Sequence, residues 1–169
     1  MRIKIYTLLT LFVFSFVIAI NSSMSGENKI IEVEYHQLTD AAKRQVECLA
    51  QNIYHEAGSE PYKGKLAVAL VTLNRVQDPR YPKDICSVVR QKINSTCQFT
   101  WYCQVVRKNY TSDEYFESKE AALYVYANYE KMVDITKGAL YYHADYVNPR
   151  WKLDRTVVIG RHIFYKERT

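Results

Sequence analysis

The stretch Gln51-Asn52-Ile53-Tyr54-His55-Glu56-Ala57-Gly58-Ser59-Glu60-Pro61 closes one helix, opens another and leaves an acid at the junction. Upstream of it, Val46, Leu49, Ala50, Ile53 and Ala57 recur at intervals of three and four. That period predicts a helix over 39–57, with Thr39 or Asp40 as N-cap. Gly58, Ser59 and Pro61 break it, so Glu56 falls in the last turn, where the helix runs out into a cleft. The helix dipole is negative there, and partial burial acts in the same direction. Both raise a carboxyl pKa towards the range of a proton donor near neutral pH. The plain alternative is a solvated glutamate in a fraying turn.

Downstream, Ser59 is expected to cap a second helix with Pro61 near its first position, running to about Val76. Leu66, Ala67, Val68, Ala69, Leu70, Val71 and Leu73 make it apolar nearly all round, the pattern of a buried central helix. Asp78-Pro79-Arg80-Tyr81-Pro82 reads as a turn, and Asp84 as the cap of a short helix through Val89. Residues 92–117 read as loop. Ser118 is expected to open another helix, with Ala121, Ala122, Val125 and Met132 on its apolar face. The period then changes: Leu140–His143 and Val157–Tyr165 read as strands. The fold class is α+β, a mainly helical body with a small C-terminal sheet.

The chain has 169 residues, 48% hydrophobic and 24% charged, enough for one domain with a real core. Arg2 and Lys4 precede an apolar run from Tyr6 to Ile20, followed by small polar residues. Residues 1–25 therefore read as a signal peptide or an uncleaved signal anchor, 26–38 as a linker and 39–169 as the domain. The expected location is the periplasm, cell envelope or extracellular space, with the N-terminal segment engaging the membrane or the export machinery. In an oxidising compartment, Cys48, Cys86, Cys97 and Cys103 imply two disulfides, for which three connectivities are open. Cys97–Cys103 with Cys48–Cys86 is the preferred pairing. The formal net charge is +5 and falls by two to +3 without residues 1–25, which hold Arg2 and Lys4 and no acid. A mildly basic exported domain is drawn to anionic polymers. No arginine-rich or basic-aromatic run points to nucleic acid. Fifteen tyrosines against two tryptophans suit flat hydroxylated ligands such as sugars, and serve equally as core filler.

Four chemistries fit the residue types. His55-Glu56 begins like a zinc-peptidase His-Glu-x-x-His, but Ser59 stands where the second histidine is needed, so no metal is expected. Cys48 with His143 would make a cysteine-dependent amidase or peptidase, although Cys48 lies inside a helix instead of at its N-terminus. A glycosidase would use Glu56 as general acid, with Glu60, Asp134 or Asp145 as possible second carboxylates, or with a group of the sugar itself completing the reaction. Glu60 reads better as an N-terminal carboxylate of the second helix. A non-catalytic glycan-binding module would use Trp101, Tyr102, Tyr142 and Trp151 as stacking surfaces.

Cys48–Ala57, Glu60-Pro61, Gly64, Ala67-Val68-Ala69 and Leu73-Asn74-Arg75-Val76 together resemble the SleB/CwlJ-type cell-wall hydrolases, the spore cortex-lytic enzymes and their relatives. The similarity continues through Tyr81-Pro82, Ile85–Val89, Cys97–Trp101, Cys103, Gly138–His143, Val147–Trp151 and Ile159–Tyr165, covering about 48–165. The resemblance implies a lysozyme-like fold and a peptidoglycan substrate; separately, no cofactor is expected and the domain is expected to be a monomer. It places the general acid on Glu56, for cleavage between N-acetylmuramic acid and N-acetylglucosamine. It also implies lytic transglycosylase or muramidase chemistry with a single glutamate, and substrate binding by Gln98, Trp101, Tyr142 and His143. Asn74, Arg75 and His162 read as structural. The chain departs from the family at Gly58-Ser59, where the family usually has Arg-Gly.

Overall fold

The computed structural model describes residues 30–104 and 109–168. The expected export segment, 1–25, lies outside them. No helix among the described residues is long and apolar enough to cross a membrane.

Helix α1 spans Asp40–Ala57, and Thr39 caps it by accepting the Ala42 N–H at 3.2 Å. Helix α2 spans Tyr62–Gln77 and buries side chains around its whole circumference, including Ala67, Val68, Leu70 and Val71. It is the central helix its sequence announces. One side packs with α1, α3 (Ile85–Val89) and α4 (Asp113–Asn128) around Leu49, Ile53, Val88 and Val125. The other side packs on the C-terminal sheet through Ala67 and Val71 against Ile159 and Phe164. That sheet comprises β3 (Tyr141–Ala144), β4 (Asp154–Ile159) and β5 (His162–Lys166) in the antiparallel order β3-β5-β4.

Two helix starts differ from expectation. Ser59 is exposed and caps nothing. The link from α1 is closed by Glu60 N–H to Ala57 C=O, and Pro61 occupies the N-cap of α2. Helix α4 begins earlier than Ser118: Ser112 caps it, accepting the Tyr115 N–H at 3.3 Å, with Asp113 and Glu114 in the first turn. Ser118 is interior and turns its hydroxyl back to Glu114 C=O at 2.6 Å. The segment expected as loop also holds a hairpin, β1 (Lys92–Ile93) and β2 (Thr96–Cys97). Asn94 and Ser95 both have positive φ, which a two-residue hairpin turn of the favoured hand requires.

The described part of the expected linker, 30–38, lies on the domain. Asn128, fully buried, accepts the Ile31 N–H at 2.6 Å and donates to Ile31 C=O at 2.9 Å. Tyr35 and Leu38 pack against the main core. Two disulfides staple the helical side: Cys48–Cys86 joins α1 to α3, and Cys97–Cys103 closes a short loop.

One amide ties α2 to the loop that leads into the sheet. Asn74 donates to Asp134 Oδ2 (3.0 Å), Thr136 Oγ1 (3.3 Å) and Ala139 C=O (3.1 Å), and accepts from Tyr129 Oη–H (2.8 Å). The Asp134 carboxylate also accepts the Thr136 and Gly138 N–H groups, which folds the loop leading into β3. Replacing Asn74 strands two buried partners, Thr136 Oγ1 and Ala139 C=O, each carrying a desolvation penalty of about 1–3 kcal/mol. Asn74→Ala is therefore expected to lower stability by about 3 kcal/mol, read as a drop in the urea midpoint at unchanged m-value.

Candidate active site

Glu56 sits in the last turn of α1, and the sheet approaches it from β3. The Tyr142 hydroxyl donates to Glu56 Oε2 at 3.2 Å. Burial pushes the Glu56 carboxyl above its ordinary value of 4.5, while the Tyr142 hydrogen bond and the Arg75 charge pull weakly the other way. The Tyr142 phenol is itself held well above 10 by burial and by the neighbouring carboxylate, so it remains a donor. Arg75 is buried at the end of α2. Its Nε–H donates to Leu140 C=O at 2.8 Å, and its guanidinium lies 5.5 Å from the Tyr81 ring centre and 5.0 Å from that of Phe99. The same side chain thus braces β3 and places a cation near the acid.

The wall on the other side is aromatic. Trp101 is buried and donates Nε1–H to Asn52 Oδ1 at 3.0 Å, while Asn52 donates to Thr72 Oγ1 at 3.2 Å. The His55 ring stacks on Trp101 at 4.3 Å between centres, and its Nε2 lies 3.2 Å from Tyr110 Oη. Beside this wall opens a cavity of about 500 Å³, lined by Tyr54, His55, Gly58, Ser59, Asn109, Ser112 and Glu114. It occupies the junction between the C-terminus of α1 and the N-terminus of α4; the last turns of α1 line it through Tyr54, His55 and Gly58, while the Glu56 carboxyl meets Tyr142.

The other carboxylates considered as partners are engaged elsewhere. Glu60 is buried and accepts the Arg161 N–H at 3.0 Å, clasping the β4–β5 turn to the start of α2. Gly160 in that turn has φ +57°, and a Cβ there would collide with the Glu60 carboxylate. Asp134 folds its own loop, and Asp145 pairs with Arg161 at 3.7 Å on the surface.

Of the expected binding residues, the structure brings Tyr142 to Glu56, and Trp101 to its neighbour His55. Gln98 is half-buried and its backbone N–H donates to Gln91 C=O at 2.9 Å, extending the β1–β2 hairpin. His143 follows Tyr142 on a strand and so points to the opposite face, where Nδ1 meets Ala144 C=O at 2.8 Å and Nε2 meets Tyr165 Oη at 3.0 Å. The cysteine-nucleophile reading is corrected: Cys48 is bonded to Cys86, and no free thiol exists. No cluster of metal-ligating side chains occurs among the described residues. Asn52 and Arg75 complete the site's support. Asn52 was legible as a polar residue one turn before Glu56 on the apolar face of α1.

Removing the Tyr142 hydroxyl takes away a donor that favours the ionised acid, so Glu56 should titrate at still higher pH. Tyr142→Phe is expected to move the alkaline limb of the pH–rate profile upwards, measured as initial rates on soluble glycan fragments.

The helical body around a central helix, with an acid at a helix end facing a small antiparallel sheet, is a lysozyme-like α+β fold. The chain belongs to the cell-wall hydrolase family, whose model matches residues 59–165. The match begins just past Glu56. The spore cortex-lytic enzyme of Bacillus subtilis strain 168 is 30% identical over 122 residues, 70% of this chain and 36% of that protein. That of Bacillus cereus is 30% identical over 128 residues, 74% of this chain and 45% of that protein. The chain thus spans less than half the length of these relatives. Among solved structures, the catalytic domain of the Bacillus cereus SleB protein superposes with a TM-score of 0.57 at 27% identity, covering 73% of this chain and 91% of that one. The catalytic domain of the germination-specific lytic transglycosylase SleB from Bacillus anthracis gives 0.55 at 27% identity, covering 73% and 95%.

Proposed function

We propose that this protein cleaves peptidoglycan glycan strands between N-acetylmuramic acid and N-acetylglucosamine, as a lytic transglycosylase whose single general acid is Glu56. The observation carrying this reading is the isolation of Glu56. It is a carboxyl biased towards its protonated form in the last turn of α1, held by Tyr142, while Glu60, Asp134 and Asp145 are committed to other contacts. Membership of the cell-wall hydrolase family and similarity to spore cortex-lytic enzymes support the substrate class.

The geometry suits a reaction needing one carboxyl. Protonated Glu56 donates to the bridging oxygen as the bond from the muramyl anomeric carbon breaks, and the N-acetylglucosamine leaves with its 4-hydroxyl restored. Tyr142 Oη–H steadies the carboxylate that this creates, and the Arg75 charge favours it. The muramyl 6-hydroxyl then closes on the anomeric carbon and returns its proton to Glu56. The product is a 1,6-anhydro sugar, no water is consumed, and the acid is regenerated. We infer that the protein works outside the cytoplasm, delivered by residues 1–25 as a signal peptide or retained by them as a membrane anchor.

The test is to digest purified peptidoglycan and mass-analyse the fragments. 1,6-Anhydromuramyl ends are expected. Reducing muramyl ends would make the protein a muramidase instead, and peptides freed from intact glycan would overturn glycan cleavage altogether.

A further inference from the structure

We propose that the outer face of the C-terminal sheet is a second carbohydrate site, an aromatic platform built on Trp151 that holds a neighbouring acidic glycan strand. The choice of polymer rests on the reading given under Proposed function; the platform itself rests on the sheet. Strand register sends Tyr142 and Phe164 inwards, towards Glu56 and the core, and leaves Tyr141, His143 and Tyr165 on the other face. After β3 the chain brings Trp151 across them, with ring centres 6.0 Å from Tyr141, 5.5 Å from His143 and 5.8 Å from Tyr165. Trp151 remains 42% exposed, far more than Trp101, stacked on His55, at 6%.

The platform is held rigid by the fold. A carbonyl only accepts, so His143 Nδ1–H donates to Ala144 C=O, and its Nε2 accepts from Tyr165 Oη–H. The His143 and Tyr165 rings stack at 5.2 Å. The Tyr141 hydroxyl donates to Glu167 at 2.6 Å, and Glu167 pairs with Arg80 at 2.9 Å. Rings fixed in this way lose little freedom when a ligand docks.

Charge selects the occupant. Arg150 and Lys152 flank Trp151, and Arg155 stands opposite Tyr165 on the same face. None of the three has an ion-pair partner among the described residues, whereas the nearby acids Asp154 and Glu167 are already paired with Arg168 and Arg80. Aromatic faces match the C–H faces of pyranose rings, and unpaired cations match carboxylates borne on the strand. A second copy of this chain would bring the same cations face to face. Because Tyr142 and the platform leave β3 on opposite faces, the strand held here is not the strand being cut. The site would retain the protein on an insoluble polymer between cleavage events.

The full chain carrying Glu56→Gln separates binding from turnover, and its sedimentation with purified insoluble peptidoglycan reads the platform. Adding Trp151→Ala is expected to lower retention about tenfold, Arg155→Glu several-fold, and Trp151→Phe little. In the wild-type background, Trp151→Ala is expected to leave turnover of short soluble glycan fragments within about twofold, because the cleft alone serves them. Unchanged retention in both Trp151→Ala and Arg155→Glu would overturn the proposal. So would an equal loss of soluble-fragment turnover, which would put Trp151 in the cleft, or Trp151-dependent binding to anionic phospholipid vesicles but not to peptidoglycan. Failure of the wild type to cut peptidoglycan would sink the proposed activity, while Trp151-dependent retention would still stand.

Discussion

Glu56→Gln is expected to lower the rate of glycan cleavage by roughly two to four orders of magnitude, the usual contribution of a positioned general acid. The amide keeps the shape and still accepts from Tyr142 Oη–H, but it has no proton to give. Glu60→Gln is expected to behave differently, losing stability while the folded protein still turns over, because Glu60 holds the β4–β5 turn. The Glu56 variant also carries a signature in stability. Burial raises the pKa of Glu56 in the folded state above its ordinary value, so the native protein binds that proton more tightly than the unfolded chain does. Ionising Glu56 therefore opposes folding, and this penalty is absent below about pH 4. It grows as pH rises past the ordinary value, and it is complete above the raised one. Glu56→Gln should accordingly be more stable than wild type at neutral pH and equal to it in acid. Urea unfolding at the two pH values checks this. An inactive variant that is also destabilised at neutral pH would mark Glu56 as a packing residue.

Loss of the Cys48–Cys86 bridge should have the largest effect on stability. It closes a loop with a sequence separation of 38, and loop-closure entropy puts its contribution at about 4 kcal/mol, against about 2 for the Cys97–Cys103 bridge with its separation of 6. Stability of a domain this size is only about 5–15 kcal/mol, so the long bridge is a large fraction of it. A Cys48→Ala/Cys86→Ala variant is expected to lose that amount in urea unfolding, while the fraction that remains folded cleaves glycan at the wild-type rate. The second half of that prediction also tests the corrected nucleophile reading, since a cysteine hydrolase would be silenced.

Much of this was legible in the sequence. The three-four period of α1 and its Gly58–Pro61 break put Glu56 at a helix end, and the apolar run Leu66–Val71 with Leu73 predicts the central position of α2. The even set of cysteines predicted two bridges. What was missed turns on conformation that residue type does not declare. Asn94-Ser95 lacks the glycine that usually marks a tight hairpin, yet both residues take positive φ. Ser118 reads as the start of α4, yet Ser112 followed by Asp113 and Glu114 is the stronger cap signal and the one the helix uses. Residue type alone sets His143 beside Tyr142, whereas consecutive strand residues face opposite ways, and His143 meets Tyr165 on the other face of β3. Contacts far apart in the chain, such as Glu60 with Arg161 and Asn74 with the loop into β3, become visible only once α2 and the sheet are packed together.

The proposed mechanism requires Glu56 to carry a proton at the working pH and to give it to the substrate. It is tested most directly by titrating the Glu56 side-chain carboxyl by ¹³C NMR, assigned by comparison with Glu56→Gln, alongside the pH dependence of kcat/KM on soluble glycan fragments. A midpoint clearly above 4.5 is expected, coinciding with the falling alkaline limb of the rate. A midpoint at or below 4.5, or a rate that passes through the Glu56 titration unchanged, would contradict it.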